Sequence, residues 1–134
     1  MGRGHGGRGG KALDLIIGGA AQGKLAYALA YYGLKNADVS DGVFGGGRIL
    51  YRFHLAVRGV LERGEDAQAL VEAYFDAHPD CVVICDEVGC GLVPVDVFER
   101  QYRDAVGRLC CAAAERSARV VRIFCGLPVV LKDE

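Results

Sequence analysis

The sequence contains no apolar run long enough to cross a bilayer. A transmembrane helix needs roughly 18–20 consecutive apolar residues, and the apolar stretches here are interrupted by Gly, Asp or Arg. The chain also has no excess of either charge, because 16 Lys and Arg face 17 Asp and Glu, a formal net charge of −1. We therefore expect no membrane span and no nucleic-acid partner.

The opening segment MGRGHGGRGG lacks the apolar core that a secretory signal requires. Its six glycines and two arginines predict a disordered leader over residues 1–11. Residues 12–134 have the length of one globular domain, and the whole chain is 51% hydrophobic and 25% charged, as such domains are. We expect this single domain to lie in the cytoplasm.

The six cysteines do not follow the spacing of a metal site or a disulfide framework. Cys81 and Cys85 lie in the apolar run CVVIC, and Cys110 and Cys111 lie in a helical pattern. Zinc modules use paired CxxC spacing, which is absent here. We expect reduced thiols that pack as small hydrophobes.

Hydrophobic periodicity predicts strands that alternate with helices. The runs at residues 12–17 and 81–85 are apolar without alternation, which is typical of parallel strands buried on both faces. Residues 48–63 predict a helix that has Ile49 and Phe53 on one face. The other predicted elements are helices after Gly23, over residues 67–77 and over residues 97–116, and strands at residues 37–39, 120–124 and 128–131. This order predicts an α/β fold.

A phosphate-binding motif lies between the first strand and the first helix. The segment GGAAQGK matches G-x-x-x-x-G-K in the strand–loop–helix context that the motif requires. Glycines let backbone N–H groups and the helix N-terminus face a phosphate, and the lysine reaches its β and γ oxygens. The alternative is a glycine-rich turn with a surface lysine. The predicted nucleotide-binding residues are Gly18, Gly19, Ala20, Ala21, Gln22, Gly23 and Lys24, within a three-layer P-loop NTPase-like fold that has a mostly parallel sheet.

Two features near this motif concern the metal. Leu25 stands where a Walker A loop has the Ser or Thr that ligates Mg²⁺, so Mg²⁺ has to be held by water and carboxylates or the site only binds. Asp86 and Glu87 follow a hydrophobic strand, at the edge where α/β sheets bind ligands. A carboxylate there can hold Mg²⁺ or accept a substrate proton, although an acidic pair can also simply end a strand.

Two segments, residues 15–24 and 82–132, resemble the bifunctional adenosylcobinamide kinase / adenosylcobinamide-phosphate guanylyltransferase family of cobalamin biosynthesis. The motifs that carry the resemblance are GGAAQGK, the EVGxGxVP run that begins at Glu87, and RDxxGR from Arg103 to Arg108. The two segments together cover about half of the chain. The resemblance implies that GTP or ATP is a substrate with Mg²⁺, that adenosylcobinamide is phosphorylated, and that GMP is then transferred through a guanylylated histidine. It also implies a homo-oligomer and a role for Glu87 in catalysis or metal binding. The resemblance is to a compact variant of the family, shortened between the first helix and Cys81.

Three histidines are available for guanylylation. His5 lies in the glycine-rich leader and His78 precedes Pro79 at a helix end. His54 lies at the border of an apolar helix face, where an imidazole is partly shielded from water but still accessible to a substrate. His54 is therefore the predicted nucleophile. Its alternative is a boundary histidine that only packs.

The histidine-bearing stretch that usually follows the second strand in the family has no clear counterpart in this sequence. Together with Leu25, this leaves a second function open, a nucleotide-binding regulatory or scaffold P-loop protein without turnover. A generic small-molecule P-loop kinase is the third and least favoured hypothesis, because no segment of the sequence resembles a lid with paired arginines.

Overall fold

The computed structural model describes residues 13–87 and 96–134. The leader predicted for residues 1–11 and most of the EVGxGxVP run lie outside the described residues. The described elements, in chain order, are β1 (Leu13–Gly18), α1 (Lys24–Tyr32), β2 (Val39–Asp41), β3 (Ile49–Tyr51), α2 (Phe53–Glu62), α3 (Ala67–Ala77), β4 (Val82–Asp86), α4 (Val97–Arg116), β5 (Ser117–Phe124) and β6 (Leu127–Asp133).

These strands form one six-stranded sheet in the order β2-β3-β4-β1-β5-β6. The pairs β2–β3, β3–β4, β4–β1 and β1–β5 are parallel, and only β6 runs antiparallel, against β5. The predicted α/β class with a mostly parallel sheet is therefore confirmed. In the register of β1 and β4, Gly18 pairs with Asp86, so the phosphate-binding motif and the acidic strand end meet at one edge.

The sheet carries helices on both faces, because side chains along each strand alternate between them. On β4, Val83 and Cys85 pack into a core with α2, α3 and α4. Val82 and Ile84 point the other way, into a second core with α1. All four side chains are essentially inaccessible to solvent, which explains why this strand reads as a continuous apolar run.

Residues 48–63 do not form the single helix that their periodicity predicted. Ile49 begins the short strand β3, and the helix begins only at Phe53. Arg52 separates the two elements in a left-handed conformation with φ of 55°. Ile49 and Leu50 are fully buried between neighbouring strands, so sheet pairing overrides their helical spacing. The strand predicted at residues 37–39 lies slightly later, at Val39–Asp41, after a 3₁₀ turn.

The helices predicted after Gly23, over residues 67–77 and over residues 97–116 are confirmed, and their ends lie at the predicted residues. Asp66 caps α3 by accepting a hydrogen bond from the Ala69 N–H at 3.1 Å, and Asp96 caps α4 by accepting from the Phe98 N–H at 2.7 Å. Gly33 ends α1 in the left-handed conformation, which glycine adopts without a steric penalty.

Within the described part of the chain, no helix combines the length and the apolar character that spanning a membrane requires. The cysteines there are free thiols: Cys81, Cys85, Cys110, Cys111 and Cys125.

Candidate functional site

We define residues 18–24 as the phosphate loop. The loop begins at the carboxyl end of β1, where its first residue has to be glycine. Gly18 has φ of 158°, and a Cβ on it would lie 2.6 Å from the Ile123 carbonyl oxygen of β5. Only a residue without a side chain lets the two strands approach so closely. Gly23 adopts the left-handed conformation at the N-terminus of α1, which turns the chain from the loop into the helix.

Gln22 connects the phosphate loop to the turn between β5 and β6 by two hydrogen bonds. Its side-chain Oε1 accepts a hydrogen bond from the Cys125 N–H at 2.6 Å, and its carbonyl oxygen accepts one from the Gly126 N–H at 3.0 Å. These contacts use residues more than 100 positions away in the chain, so the motif alone did not predict them. They fix the position of the loop relative to β5 and β6.

Lys24 lies at the start of α1 and is only 4% exposed. Its Nζ donates a hydrogen bond to the Gly19 carbonyl oxygen at 2.6 Å and forms an ion pair with Asp86 Oδ1 at 2.7 Å. A buried ammonium needs such partners, because its loss of hydration is otherwise uncompensated. Both partners belong to the same edge of the sheet, so the lysine bridges the phosphate loop and the end of β4.

His54, on α2, faces Asp86 with both ring nitrogens. The Asp86 N–H donates to Nδ1 at 3.3 Å, and Nε2 lies 3.5 Å from Asp86 Oδ2. Because Nδ1 accepts from an amide, the neutral ring carries its proton on Nε2, toward the carboxylate. Burial lowers the pKa of His54; Asp86 opposes this shift, and the positive charges of Lys24 and Arg52 add to it. The ring is therefore held neutral beside the phosphate loop.

Glu87 points away from this group. Its N–H donates to the Gly18 carbonyl oxygen at 2.9 Å, and its carboxylate forms an ion pair with the Arg122 Nε at 2.8 Å. Asp86 is therefore the acid that contacts Lys24 and His54, although the family resemblance aligned Glu87. Strand alternation was the signal available in the sequence, since adjacent residues point to opposite sides of a sheet. The roles predicted for Glu87 stay predictions.

A pocket of about 240 Å³ opens beside the phosphate loop. Tyr51 and Arg52, at the end of β3, form part of its wall, and no motif in the sequence predicts either of them as a site residue. The full lining comprises Ala20, Ala21, Gln22, Gly23, Lys24, Leu25, Ala26, Tyr51, Arg52 and Asp86. Five of the seven predicted nucleotide-binding residues are thus brought together with the acid of β4. Gly18 lies against β5 instead, and Gly19 accepts the hydrogen bond from Lys24.

The described residues contain no group of three or more His, Cys, Asp or Glu side chains that could hold a metal ion. Mg²⁺ seldom needs such a cage, because one or two carboxylates together with substrate phosphates and water suffice. The Asp86 carboxylate, at the end of β4 beside Lys24, fits that mode. Leu25 forms part of the pocket wall and has no side-chain oxygen, so it cannot supply the hydroxyl ligand of other phosphate loops.

Comparison with known proteins identifies a family and a similar protein. A family model described as "Cobinamide kinase / cobinamide phosphate guanyltransferase" matches residues 55–131, more than half of the chain. The protein named "Bifunctional adenosylcobalamin biosynthesis protein CobP" from Pseudomonas aeruginosa is 36% identical over 69 residues, which are 52% of this chain and 40% of the relative. The chain thus spans less than half of that relative's length. The family match begins after the phosphate loop, so the loop geometry is an independent observation.

Proposed function

The chain belongs to the cobinamide kinase / cobinamide phosphate guanyltransferase family, and from this premise we propose that it phosphorylates adenosylcobinamide and transfers GMP from GTP to adenosylcobinamide phosphate. The observation that carries the proposal is Lys24, buried at the mouth of a phosphate loop and paired with Asp86. Its ammonium and the N-terminus of α1 supply positive charge where a triphosphate would lie. GTP or ATP is the proposed nucleotide, and the cytoplasm is the proposed location.

In the proposed phosphorylation, the corrinoid hydroxyl oxygen attacks the γ-phosphorus. The bond to the β–γ bridging oxygen breaks, the nucleoside diphosphate leaves, and the hydroxyl proton passes to a carboxylate. Asp86 is the carboxylate nearest to Lys24, so it is the proposed acceptor of that proton. Mg²⁺, bound with the nucleotide, would neutralise charge on the phosphates.

His54 is the proposed acceptor of the guanylyl group. The ring first changes tautomer: Nε2 gives its proton to Asp86 Oδ2, which lies 3.5 Å away, and Nδ1 takes up a proton from solvent, so the lone pair of Nε2 becomes free. Nε2 then attacks the α-phosphorus of GTP, and pyrophosphate leaves. A phosphate oxygen of adenosylcobinamide phosphate then attacks the same phosphorus and releases the imidazole. Attack requires Nε2 to move out of its contact with Asp86, which entry of a nucleotide phosphate beside Lys24 would favour.

Glu87 is proposed to give up its ion pair with Arg122 and to contact the metal or the substrate instead. That ion pair joins side chains that are 30% and 52% exposed, and such exposed pairs contribute only about 0–1 kcal/mol. The exchange is therefore energetically accessible.

The test is to incubate the protein with GTP, Mg²⁺ and adenosylcobinamide and to separate the corrinoids by chromatography. We expect adenosylcobinamide phosphate and its GDP-linked product. GTP labelled at the α-phosphate should also leave an acid-labile, alkali-stable label on the protein, which His54→Ala should lose and His78→Ala should retain. Label that persists in His54→Ala would place the nucleophile elsewhere.

A nucleotide-binding protein without turnover is the second candidate, favoured by Leu25 and by the engagement of Lys24 with Gly19 and Asp86. In that case GTP would bind, while the corrinoid would be recovered unchanged and no label would appear on the protein.

We also propose a homo-oligomer that forms through β6. This strand lies at the edge of the sheet, and four of its apolar side chains are about half exposed or more: Leu127, Val129, Val130 and Leu131. An exposed apolar edge strand is a surface that pairs readily with another chain.

A further inference from the structure

Two pairs of opposite charges lie side by side along the carboxyl edge of the parallel strands. The first is Lys24 with Asp86, at the ends of β1 and β4. The second joins Arg52, which follows β3, to Asp41, the last residue of β2. Only the first pair has a role in the chemistry proposed above, yet Arg52 forms part of the same pocket wall as the phosphate loop.

The second pair is a planar, two-point contact on the surface. Arg52 Nε lies 2.9 Å from Asp41 Oδ1, and Nη2 donates to Oδ2 at 3.1 Å. The guanidinium also lies over the Tyr51 ring, 5.0 Å from its centroid. The two charged side chains are 45% and 51% exposed, so water screens their attraction. A phosphate presents the same pair of oxygens to a guanidinium as a carboxylate does.

The backbone of Arg52 is strained where it meets the pocket. Its φ of 55° lies in the left-handed region, which disfavours residues that carry a Cβ. Glycine would adopt this conformation without cost and would keep the backbone contacts with α2, because the Arg52 carbonyl oxygen accepts hydrogen bonds from the Leu55 and Ala56 N–H groups. An arginine at such a position points to a use for its side chain.

From these observations we infer that Arg52 binds the phosphate of the second substrate, the phosphorylated corrinoid, beside the nucleotide. The inference rests on the proposed function and names the residue that would recognise the phosphate monoester. The phosphate loop and Lys24 already supply the contacts that a triphosphate needs. Two strand spacings, about 10 Å, separate β1 from β3. At this distance Arg52 can contact a corrinoid phosphate that lies next to the nucleotide phosphates.

Asp41 then acts as the resting partner that the incoming phosphate displaces. Binding exchanges one two-point contact of the guanidinium for another, so the arginine stays oriented in both states. Removal of the Asp41 charge should therefore strengthen phosphate binding, whereas removal of Arg52 should weaken it. A purely structural ion pair would not give effects of opposite sign.

The test measures, by calorimetry with GDP present, the dissociation constants of adenosylcobinamide phosphate and of unphosphorylated adenosylcobinamide. The readout is the ratio of the two, which reports recognition of the phosphate alone. In Arg52→Gly and Arg52→Gln we expect the preference for the phosphorylated corrinoid to fall roughly tenfold to a hundredfold. In Asp41→Asn the preference should rise. Arg63→Gln is the matched control, because Arg63 is also an exposed arginine paired with an acid, Glu65, and it should retain the wild-type ratio.

The melting temperature of Arg52→Gly separates recognition from folding, since glycine relieves the backbone and should not lower it. An unchanged preference in folded Arg52→Gly, a fall in Asp41→Asn, or equal binding of both corrinoids by the wild type would each overturn the inference. Phosphorylation of adenosylcobinamide by the wild type is measured separately, so a failure here is distinguishable from a failure of the proposed function.

Discussion

At the residue scale, Lys24 is expected to contribute most to nucleotide affinity. Lys24→Ala removes one charge-assisted contact to phosphate, which should cost about 1.5–3 kcal/mol, or roughly tenfold to a hundredfold in affinity. Calorimetric titration with GTP measures this loss, and circular dichroism verifies that the variant is folded. Lys35→Ala, an exposed lysine beyond α1, is the control. Unchanged affinity in folded Lys24→Ala would disprove the phosphate-loop interpretation.

The two neighbouring acids are expected to differ in what they affect. Asp86→Asn frees Lys24 from its ion pair, so affinity for GTP in metal-free buffer should rise, while turnover with Mg²⁺ should fall at least about tenfold. Glu87→Gln should lower turnover with little change in melting temperature, because its ion pair with Arg122 is exposed.

The comparison of these two variants in one assay decides their roles. Full activity in Glu87→Gln would remove Glu87 from the metal and substrate roles, and a large loss of stability with activity retained would make it structural. Full activity in Asp86→Asn would show that the contact with Lys24 is not used in the reaction.

His54 should make the folded state sensitive to mild acid. Burial lowers its pKa in the folded protein, so the unfolded chain takes up the proton first, near its ordinary pKa of about 6.5. This contribution to stability is complete above that pH and is lost as the pH falls from there toward the lowered pKa. Urea unfolding between pH 7.5 and pH 5.5 should therefore show a steeper loss of stability in the wild type than in His54→Gln. Equal slopes would contradict the burial argument.

At the scale of elements, the helices depend on caps that can be tested one at a time. Asp66→Ala removes the acceptor for the Ala69 N–H at the start of α3, which should lower the free energy of unfolding by about 1 kcal/mol. Denaturant titration measures the change. Asp104→Ala, at an exposed position inside α4, should change it much less. If both variants lose the same amount, the cap is not what stabilises α3.

At the scale of the whole molecule, β6 is the surface expected to join copies of the chain. Val129→Lys places a charge in the middle of this edge strand, which should block strand pairing and shift the mass in solution toward the monomer. Light scattering after size exclusion measures the mass. Val43→Lys, at another exposed valine, should leave it unchanged. A wild-type protein that is monomeric in solution would contradict the proposal that copies of the chain associate through β6.

Much of the fold could be predicted because its causes are local. The apolar run of β4, the caps Asp66 and Asp96, and the glycine that ends α1 each act through neighbours in the chain. The phosphate loop is of the same kind, since a strand, two glycines and a lysine at fixed spacing suffice to predict a phosphate site. These features were determined by the sequence itself, because short-range sterics and hydrogen bonding leave few alternatives.

Only the tertiary structure decided which side chains meet. Residues 49–51 form a strand where the spacing predicted a helix, because a place between β2 and β4 buries Ile49 and Leu50 completely. Asp86 and not Glu87 contacts Lys24, because the pairing of β4 with β1 sets which of two adjacent side chains faces the loop. Arg52 and Asp41 lie at the same edge as the phosphate loop because the five parallel strands all end there. Strand order and register depend on how the whole core packs, and that information is spread over residues far apart in the chain.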